Sequence, residues 1–243
     1  MKQRIDQLLV SRGLFDSRSK AAAAIAAGRV KADGRTVAKP SEAVDEDALI
    51  DAEPAHPWVG RGALKLDHAL SLWPIPVEGR AVLDVGASTG GFTEVCLNRG
   101  ARHVVAVDVG RGQLHPSLVA DPRVTNLEAT DARDLTAELL GRTPDLVVCD
   151  ASFIGLAKVL PAALSLAAPD ADLIALVKPQ FEAGPALVGK GGLVRDAAVH
   201  AHVVAEVSAW LEGQGWAVRE TAASPIEGGE GQREYLLWAS KRS

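Results

Sequence analysis

Apolar residues at Ile5, Leu8 and Leu9, continuing to Leu14, recur every three to four positions, the period of one helical face, and Gly13 supplies a stop. A second helix is expected from Ser17, a good N-cap, through an alanine-rich run to Ala27, with Gly28 ending it. Residues 29–38 then read as a tight hairpin, because Val30 and Val37 flank Asp33-Gly34, a pair that accepts the positive φ angles of a two-residue turn. Residues 48–52 suggest one further short strand. From Arg61 the pattern changes: a helix containing Lys65 leads into strand-like runs at 81–85, 104–108, 124–127, 145–149 and 173–177, most of them separated by helix-like stretches. That alternation predicts a Rossmann-like, doubly wound α/β sheet, whose ligands bind beyond the carboxyl ends of its strands. Residues 216–221 and 234–238, joined by a Gly-rich turn, read as a closing antiparallel pair.

The stretch Glu53-Pro54-Ala55-His56-Pro57-Trp58-Val59-Gly60 separates two unlike compositions. The expected organisation is therefore a small α+β unit over 1–53, a linker over 54–60 and the α/β domain over 61–243. With 47% hydrophobic residues, a chain of 243 residues can fill such cores. Its two cysteines, Cys96 and Cys149, lie in apolar runs without the spacing of a zinc site, so no metal is expected. No apolar stretch of membrane-spanning length and no N-terminal signal pattern occurs, which points to a cytoplasmic protein.

Charge adds a second clue. The formal net charge of −5 conceals an asymmetry: residues 1–39 hold nine Lys/Arg against three acids. Arg4, Arg18 and Lys20 on the helices, with Arg29, Lys31 and Arg35 around the hairpin, form a candidate surface for RNA phosphates, although a solvated charged face is the plainer reading.

The run Asp84-Val85-Gly86-Ala87-Ser88-Thr89-Gly90-Gly91-Phe92 places glycines where a strand turns into a helix and backbone must approach a ligand. Ser88 stands where a dinucleotide fingerprint needs its second glycine, and Asp84 adds a carboxylate, so a pyrophosphate is poorly served. A cofactor with an amino group and no phosphate suits the loop better, and S-adenosyl-L-methionine is such a molecule. The loop resembles the first motif of Rossmann-type methyltransferases. Asp108, ending the second strand, is placed for ribose hydroxyls, and Asp131 with Ala132 follows the third strand, where the resemblance implies that adenine is read.

Four more ionisable residues fall where this fold collects chemistry: Lys65 before the first strand, Asp150 and Lys178 closing apolar strands, and Glu234 at the last one. This set resembles the lysine, aspartate, lysine, glutamate tetrad of FtsJ-like ribose 2'-O-methyltransferases. A ribose hydroxyl is a poor nucleophile until a base shares its proton. A lysine ordinarily holds its own proton to about pH 10.4, so Lys178 acts as that base only if burial and the like charge of Lys65 push its pKa down, while Asp150 and Glu234 position the ammonium groups and oppose that push. Phe153 and Phe181 follow the strand ends and are candidates to stack an extruded base, or simply to pack the core.

Near the N-terminus, Arg4-Ile5-Asp6-Gln7-Leu8-Leu9, Gly13-Leu14, Ser17-Arg18 and Gly28-Arg29-Val30 resemble the alpha-L RNA-binding domain of a small-subunit ribosomal protein and of pseudouridine synthases. That module, a short linker and an FtsJ-like domain in this order resemble the TlyA family, whose members are also called hemolysins. Arg61-Gly62-Ala63-Leu64-Lys65-Leu66, the glycine loop, Val177-Lys178-Pro179-Gln180-Phe181-Glu182 and Arg233-Glu234-Tyr235 carry the match, with Gly60 and Ala63 departing from the usual Ser-Arg-Gly-Gly. The resemblance implies 2'-O-methylation of a cytidine in large-subunit (23S) ribosomal RNA, with small-subunit (16S) RNA as a second substrate of some members. Rival readings are a base methyltransferase, a non-catalytic assembly factor expected to have lost the strand-end acids and lysines, and a membrane-lytic protein for which no amphipathic segment is evident.

Overall fold

A computed structural model describes residues 1–228 and 231–241. Two residues of the expected Gly-rich turn, Gly229 and Glu230, lie outside the described residues. The chain divides into two compact units, Met1–Pro57 and Trp58–Ser243.

In the first unit, β1 (Lys2–Arg4) leads into α1 (Ile5–Ser11) and α2 (Arg18–Ala26), followed by β2 (Val30–Ala32), β3 (Arg35–Thr36), β4 (Ala43–Asp45) and β5 (Ile50–Ala52). Ser17 caps α2 by accepting a bond from Lys20 N, and Gly13 and Gly28 leave the helices with positive φ. Asp33 (φ 50°) and Gly34 (φ 78°) make the hairpin turn between β2 and β3, and β5 adds antiparallel to β2. The pairing of β1 with β4 was not expected: both are three residues long and largely exposed, so neither displays an apolar alternation. Ile5, Leu8, Leu9, Phe15, Ala24 and Ile25 lead the core of this small unit.

The second unit begins with α3 (Ala63–Leu72) and β6 (Ala81–Val85), then α4 (Gly91–Asn98), β7 (His103–Asp108), α5 (Pro116–Val119), β8 (Val124–Glu128), α6 (Ala137–Leu140) and β9 (Leu146–Cys149). It continues through α7 (Leu156–Val159), α8 (Pro161–Leu166), β10 (Asp172–Val177), α9 (Pro179–Glu182), α10 (Ala197–Gly213), β11 (Trp216–Ala223) and β12 (Tyr235–Lys241). Among the described residues the sheet has seven strands in the order β11-β12-β10-β9-β6-β7-β8. Strands β10, β9, β6, β7 and β8 run parallel, whereas β12 is antiparallel to both β10 and β11. The central strands β6, β9 and β10 are buried throughout, as sheets covered on both faces require. Two apolar clusters cover the faces, one led by Leu83, Val147, Leu173 and Trp216, the other by Leu66, Val82, Phe92 and Ile174.

From β6 the chain winds outward to β7 and β8, then returns to place β9 on the other side of β6, so the topological switch lies between β6 and β9. There the two strand ends nearly touch. Gly86 has φ +81°, and a Cβ built on it would lie 2.8 Å from Ala151 Cα and 2.9 Å from Ala151 N. Glycine is required on both counts. Replacing Gly86 by Ala is expected to destabilise the protein by about 2–3 kcal/mol and to lower the melting temperature; an unchanged melt would mean that the crevice yields at no cost.

Candidate active site

The sheet brings together four side chains that lie far apart in the sequence. Asp150 follows β9 directly, Lys178 follows β10, and Glu234 precedes β12, whose first residue Tyr235 pairs with Val177. Because β12 runs antiparallel to β10, its beginning meets the end of β10. Lys65 arrives from α3, on the same buried side as Leu66 and Ala69. Lys65 Nζ lies 2.6 Å from Glu234 Oε2 and 3.5 Å from Asp150 Oδ2. Lys178 Nζ donates to Ser152 Oγ at 2.8 Å and to the Asp150 carbonyl at 3.1 Å.

Lys178 Nζ also sits 2.6 Å from Asp150 Oδ1. That buried oxygen is ion-paired with the ammonium and takes no hydrogen bond from any other group. Lys65, Lys178 and Glu234 are each less than a tenth exposed. Two cations and two anions balance formally, the condition under which charges tolerate burial. A cavity of about 240 Å³ opens on all four, with Arg61, Gly62, Phe92 and Ser152 also on its wall. Ser152 was not anticipated, although a hydroxyl two residues beyond a strand-end aspartate is a readable signal.

A larger cavity of about 540 Å³ adjoins the first and shares Gly86, Ser88, Asp150 and Ser152 with it. Its size is in the range of cofactor sites. Asp108, Asp131 and Ala132 lie on its wall, as do Val109, Gln113 and Ile154. Asp108 Oδ2 accepts from Ser88 N at 2.8 Å and Oδ1 from Gly110 N at 2.7 Å, leaving further lone pairs for donors in the cavity. The Asp131 carboxylate is held by Arg133, whose side chain and backbone N–H both donate to it, and its pKa falls to about 2. Ala87, Thr89 and Gly91 face the smaller cavity.

Asp84 and Gly90 line neither cavity. Gly90 shapes the turn at φ +94°, where a Cβ would run into Leu118 and Leu114. Asp84 is fully buried, with Oδ2 accepting from Thr93 Oγ1 at 2.7 Å and Oδ1 unpartnered. Burial pushes its carboxyl up to about 7, helped by the charges of Asp150 and Asp108 and opposed by the Thr93 bonds. A phosphate-free molecule that brings hydrogen-bond donors suits this site: Asp84 Oδ1 is unpartnered behind the glycine turn, Asp108 and Asp131 stand at the wall, and the backbone approaches closely at Gly86.

Phe153, with φ 67°, is 90% exposed on the rim of the larger cavity, and its ring lies 5.2 Å from that of Phe181. Among the described residues no group of His, Cys, Asp and Glu has the arrangement to hold a metal ion, and no helix is long and apolar enough to cross a membrane.

In the N-terminal unit, most of the six candidate phosphate ligands already have acidic partners. Arg4 and Arg18 both bind Asp6, buried at α1, and hold its carboxyl well below the usual range. Lys20 pairs with Asp16, Arg29 with Glu53 and Arg35 with Glu42. Lys31 is exposed on β2 with no ion pair among the described residues. The asymmetry of residues 1–39 is offset within the same unit, because residues 1–57 carry nine Lys/Arg and nine Asp/Glu. Any cationic surface is therefore a face of a neutral unit.

Comparison with known proteins agrees with this architecture. The FtsJ-like methyltransferase family model matches residues 58–241, and the S4 domain model matches residues 3–50. A Mycobacterium tuberculosis (strain H37Rv) protein named 16S/23S rRNA (cytidine-2'-O)-methyltransferase TlyA is 52% identical over 241 residues, covering 98% of this chain and 89% of its own. A Campylobacter jejuni protein named 23S rRNA (cytidine-2'-O)-methyltransferase TlyA is 35% identical over 76% of this chain and 71% of its own. A solved structure from Streptococcus thermophilus superposes with a TM-score of 0.79 at 37% identity, covering 100% of this chain and 89% of that one.

The raised pKa of Asp84 has a sign that can be measured. Between about pH 4 and 7 the folded state keeps the proton that the unfolded chain releases, so this group lowers stability as pH rises through that window. Asp84→Asn removes the effect and retains an acceptor for Thr93. The variant is expected to gain stability relative to the wild type, by up to a few kcal/mol at pH 8, with the difference vanishing near pH 4. Parallel melting curves across pH would refute the buried, proton-holding carboxyl.

Proposed function

Because the chain belongs to the TlyA family of FtsJ-like methyltransferases, we propose that it methylates the ribose 2'-hydroxyl of a cytidine in 23S ribosomal RNA, with 16S RNA as a second substrate. The single observation that carries the reaction type is the meeting of Lys65, Asp150, Lys178 and Glu234 at one cavity beside the cofactor-sized one. The second substrate rests on the 52% identical relative, whose name includes both RNAs. We assign residues 1–53 to RNA binding, 54–60 to a linker and 61–243 to catalysis. The substrate on this reading is ribosomal RNA, alone or in an assembled subunit, in the cytoplasm.

S-adenosylmethionine, when bound, supplies a methyl group made electrophilic by its sulfonium. Asp108, Asp131, Ala132 and the 86–92 turn would hold it, whereas Asp84, buried behind that turn with its pKa raised to about 7, stands off the cavity wall. The tetrad handles the sugar. Asp150 Oδ1, the acceptor without a hydrogen-bond partner, takes the hydrogen bond of the 2'-hydroxyl, and Lys178 Nζ, 2.6 Å from that oxygen, orients the same group. Asp150 Oδ1 accepts the hydroxyl proton while Lys178, as an ammonium, holds the oxygen that is to receive the methyl group. Lys65, bridging Glu234 and Asp150, keeps the aspartate from turning away. Much of the rate comes from holding the reacting oxygen in line with the methyl carbon. Phe153, exposed at the rim, offers a stacking face for the target base. Lys20, Lys31 and Arg35 exchange weak surface pairs, or none, for RNA phosphates.

Radiolabelled S-adenosylmethionine and unmethylated ribosomal subunits test the whole reading. The wild type is expected to label one cytidine ribose per target RNA, and Lys178→Ala to lose roughly a hundredfold or more in turnover while binding the cofactor about as well. Label on a base, or near-normal turnover of the variant, would refute the mechanism. The triple variant Lys20→Ala, Lys31→Ala, Arg35→Ala is expected to weaken RNA binding and to shrink the slope of log affinity against log salt by about two to three. An unchanged slope would take these residues out of the interface.

A further inference from the structure

Residues 109–114, between β7 and α5, belong to no helix or strand, so their backbone N–H groups need acceptors from elsewhere. Glu128, the last residue of β8, supplies them. Its Oε2 accepts from Gly112 N at 2.9 Å, and its Oε1 accepts from Gln113 N at 2.6 Å and Leu114 N at 3.0 Å. These bonds, with one from the Asn126 side chain, hold the Glu128 carboxyl down to about 2, so it is ionised at any working pH. The strand register sets Glu128 opposite Asp108, which takes Gly110 N at the start of the same loop. Ala129 N donates to Gly110 O at 2.8 Å, and His115 N donates to Thr89 O at 3.1 Å, tying the loop's far end to the glycine turn.

Glu128 is not on the wall of the larger cavity, but the loop it fastens contributes Val109, Gly110 and Gln113 to that wall. We propose that Glu128 is a positioning residue for S-adenosylmethionine: by gripping three consecutive backbone N–H groups, it preforms the loop against which the nucleoside half of the cofactor binds. The inference rests on the larger cavity being the cofactor site. Without the carboxylate, the exposed N–H groups of Gly112 and Gln113 pass to water, and the fold survives because Glu128 belongs to no apolar cluster. The loop then loses its fixed shape, and the entropy of ordering it moves from the folding step to the binding step. Affinity falls, while the transfer step, set by the distant tetrad, keeps its rate.

The test is calorimetric titration of the full chain with S-adenosylmethionine, together with methyl-transfer kinetics and melting curves, for the wild type, Glu128→Ala and Glu128→Gln. Glu128→Ala is expected to raise both Kd and KM for S-adenosylmethionine about tenfold or more, with kcat at saturating cofactor and KM for ribosomal RNA within about twofold of the wild type. Glu128→Gln keeps one carbonyl acceptor for Gln113 and Leu114 and is expected to fall between the two, and it decides the matter if the alanine variant fails to fold. Cofactor affinity equal to the wild type in the folded variants overturns the clamp alone, as does a loss confined to kcat. A wild-type protein that binds no S-adenosylmethionine overturns the assignment of the cavity, and this inference with it.

Discussion

Three buried charges and one partly buried one must neutralise one another, and that constraint organises the carboxyl end of the sheet. Lys65, Asp150, Lys178 and Glu234 come from a helix, two strand ends and a strand beginning. None of them is tolerable in this apolar setting alone, since an unpaired buried charge costs several kcal/mol. Each therefore depends on the others being delivered to the same point. Delivery requires the parallel register of β9 with β10 and the reversed direction of β12, which returns Glu234 to the end of β10. The direction of the last strand is thus a condition of the chemistry as well as of the topology.

The larger neighbouring cavity is held in a different way. Its walls are turns and loops, held by backbone N–H groups that donate to carboxylates: Ser88 and Gly110 to Asp108, and Gly112, Gln113 and Leu114 to Glu128. Carboxylates suit this task because each accepts several donors at once. The result is a wall whose shape is set by two neighbouring acids on paired strands. Close packing does the rest at Gly86, where the switch between β6 and β9 leaves no space for a side chain. The two cavities meet at the shared residues Gly86, Ser88, Asp150 and Ser152.

The N-terminal unit tells a different electrostatic story. Its cations are interleaved with an equal number of acids. Arg4 and Arg18 neutralise the buried Asp6 and so serve the fold first. The exposed pairs of Lys20 and Arg35, by contrast, are worth little in water and give way readily to a polyanion. On the proposed reading, affinity for RNA comes from a face of the unit, and its total charge is a poor guide to it.

Local rules made much of this architecture legible. Apolar runs marked β6, β9 and β10 to within a residue or so, because fully buried parallel strands are continuous in hydrophobicity, while the half-buried β8 showed only its Val124 and Leu127. Ser17, Gly28 and Asp33-Gly34 announced a cap, a stop and a turn through their own backbone preferences. The strand-end positions of Asp150 and Lys178 were readable for the same reason, since an ionisable residue after a buried run has only the crevice to face. Pairings between distant segments were not readable: β1 with β4 involves short polar strands, and Glu128 takes its meaning from a loop that precedes it in the chain. Nor did composition reveal that five of the six candidate phosphate ligands would find acidic partners, or that Asp84 would turn toward Thr93. The sequence by itself determined the elements, the glycine turn and the kinds of chemistry available, because those follow from neighbours along the chain. Only the tertiary structure decided which charges meet, which are spent on the fold and which acceptor stays open, because those depend on distances that no local pattern encodes.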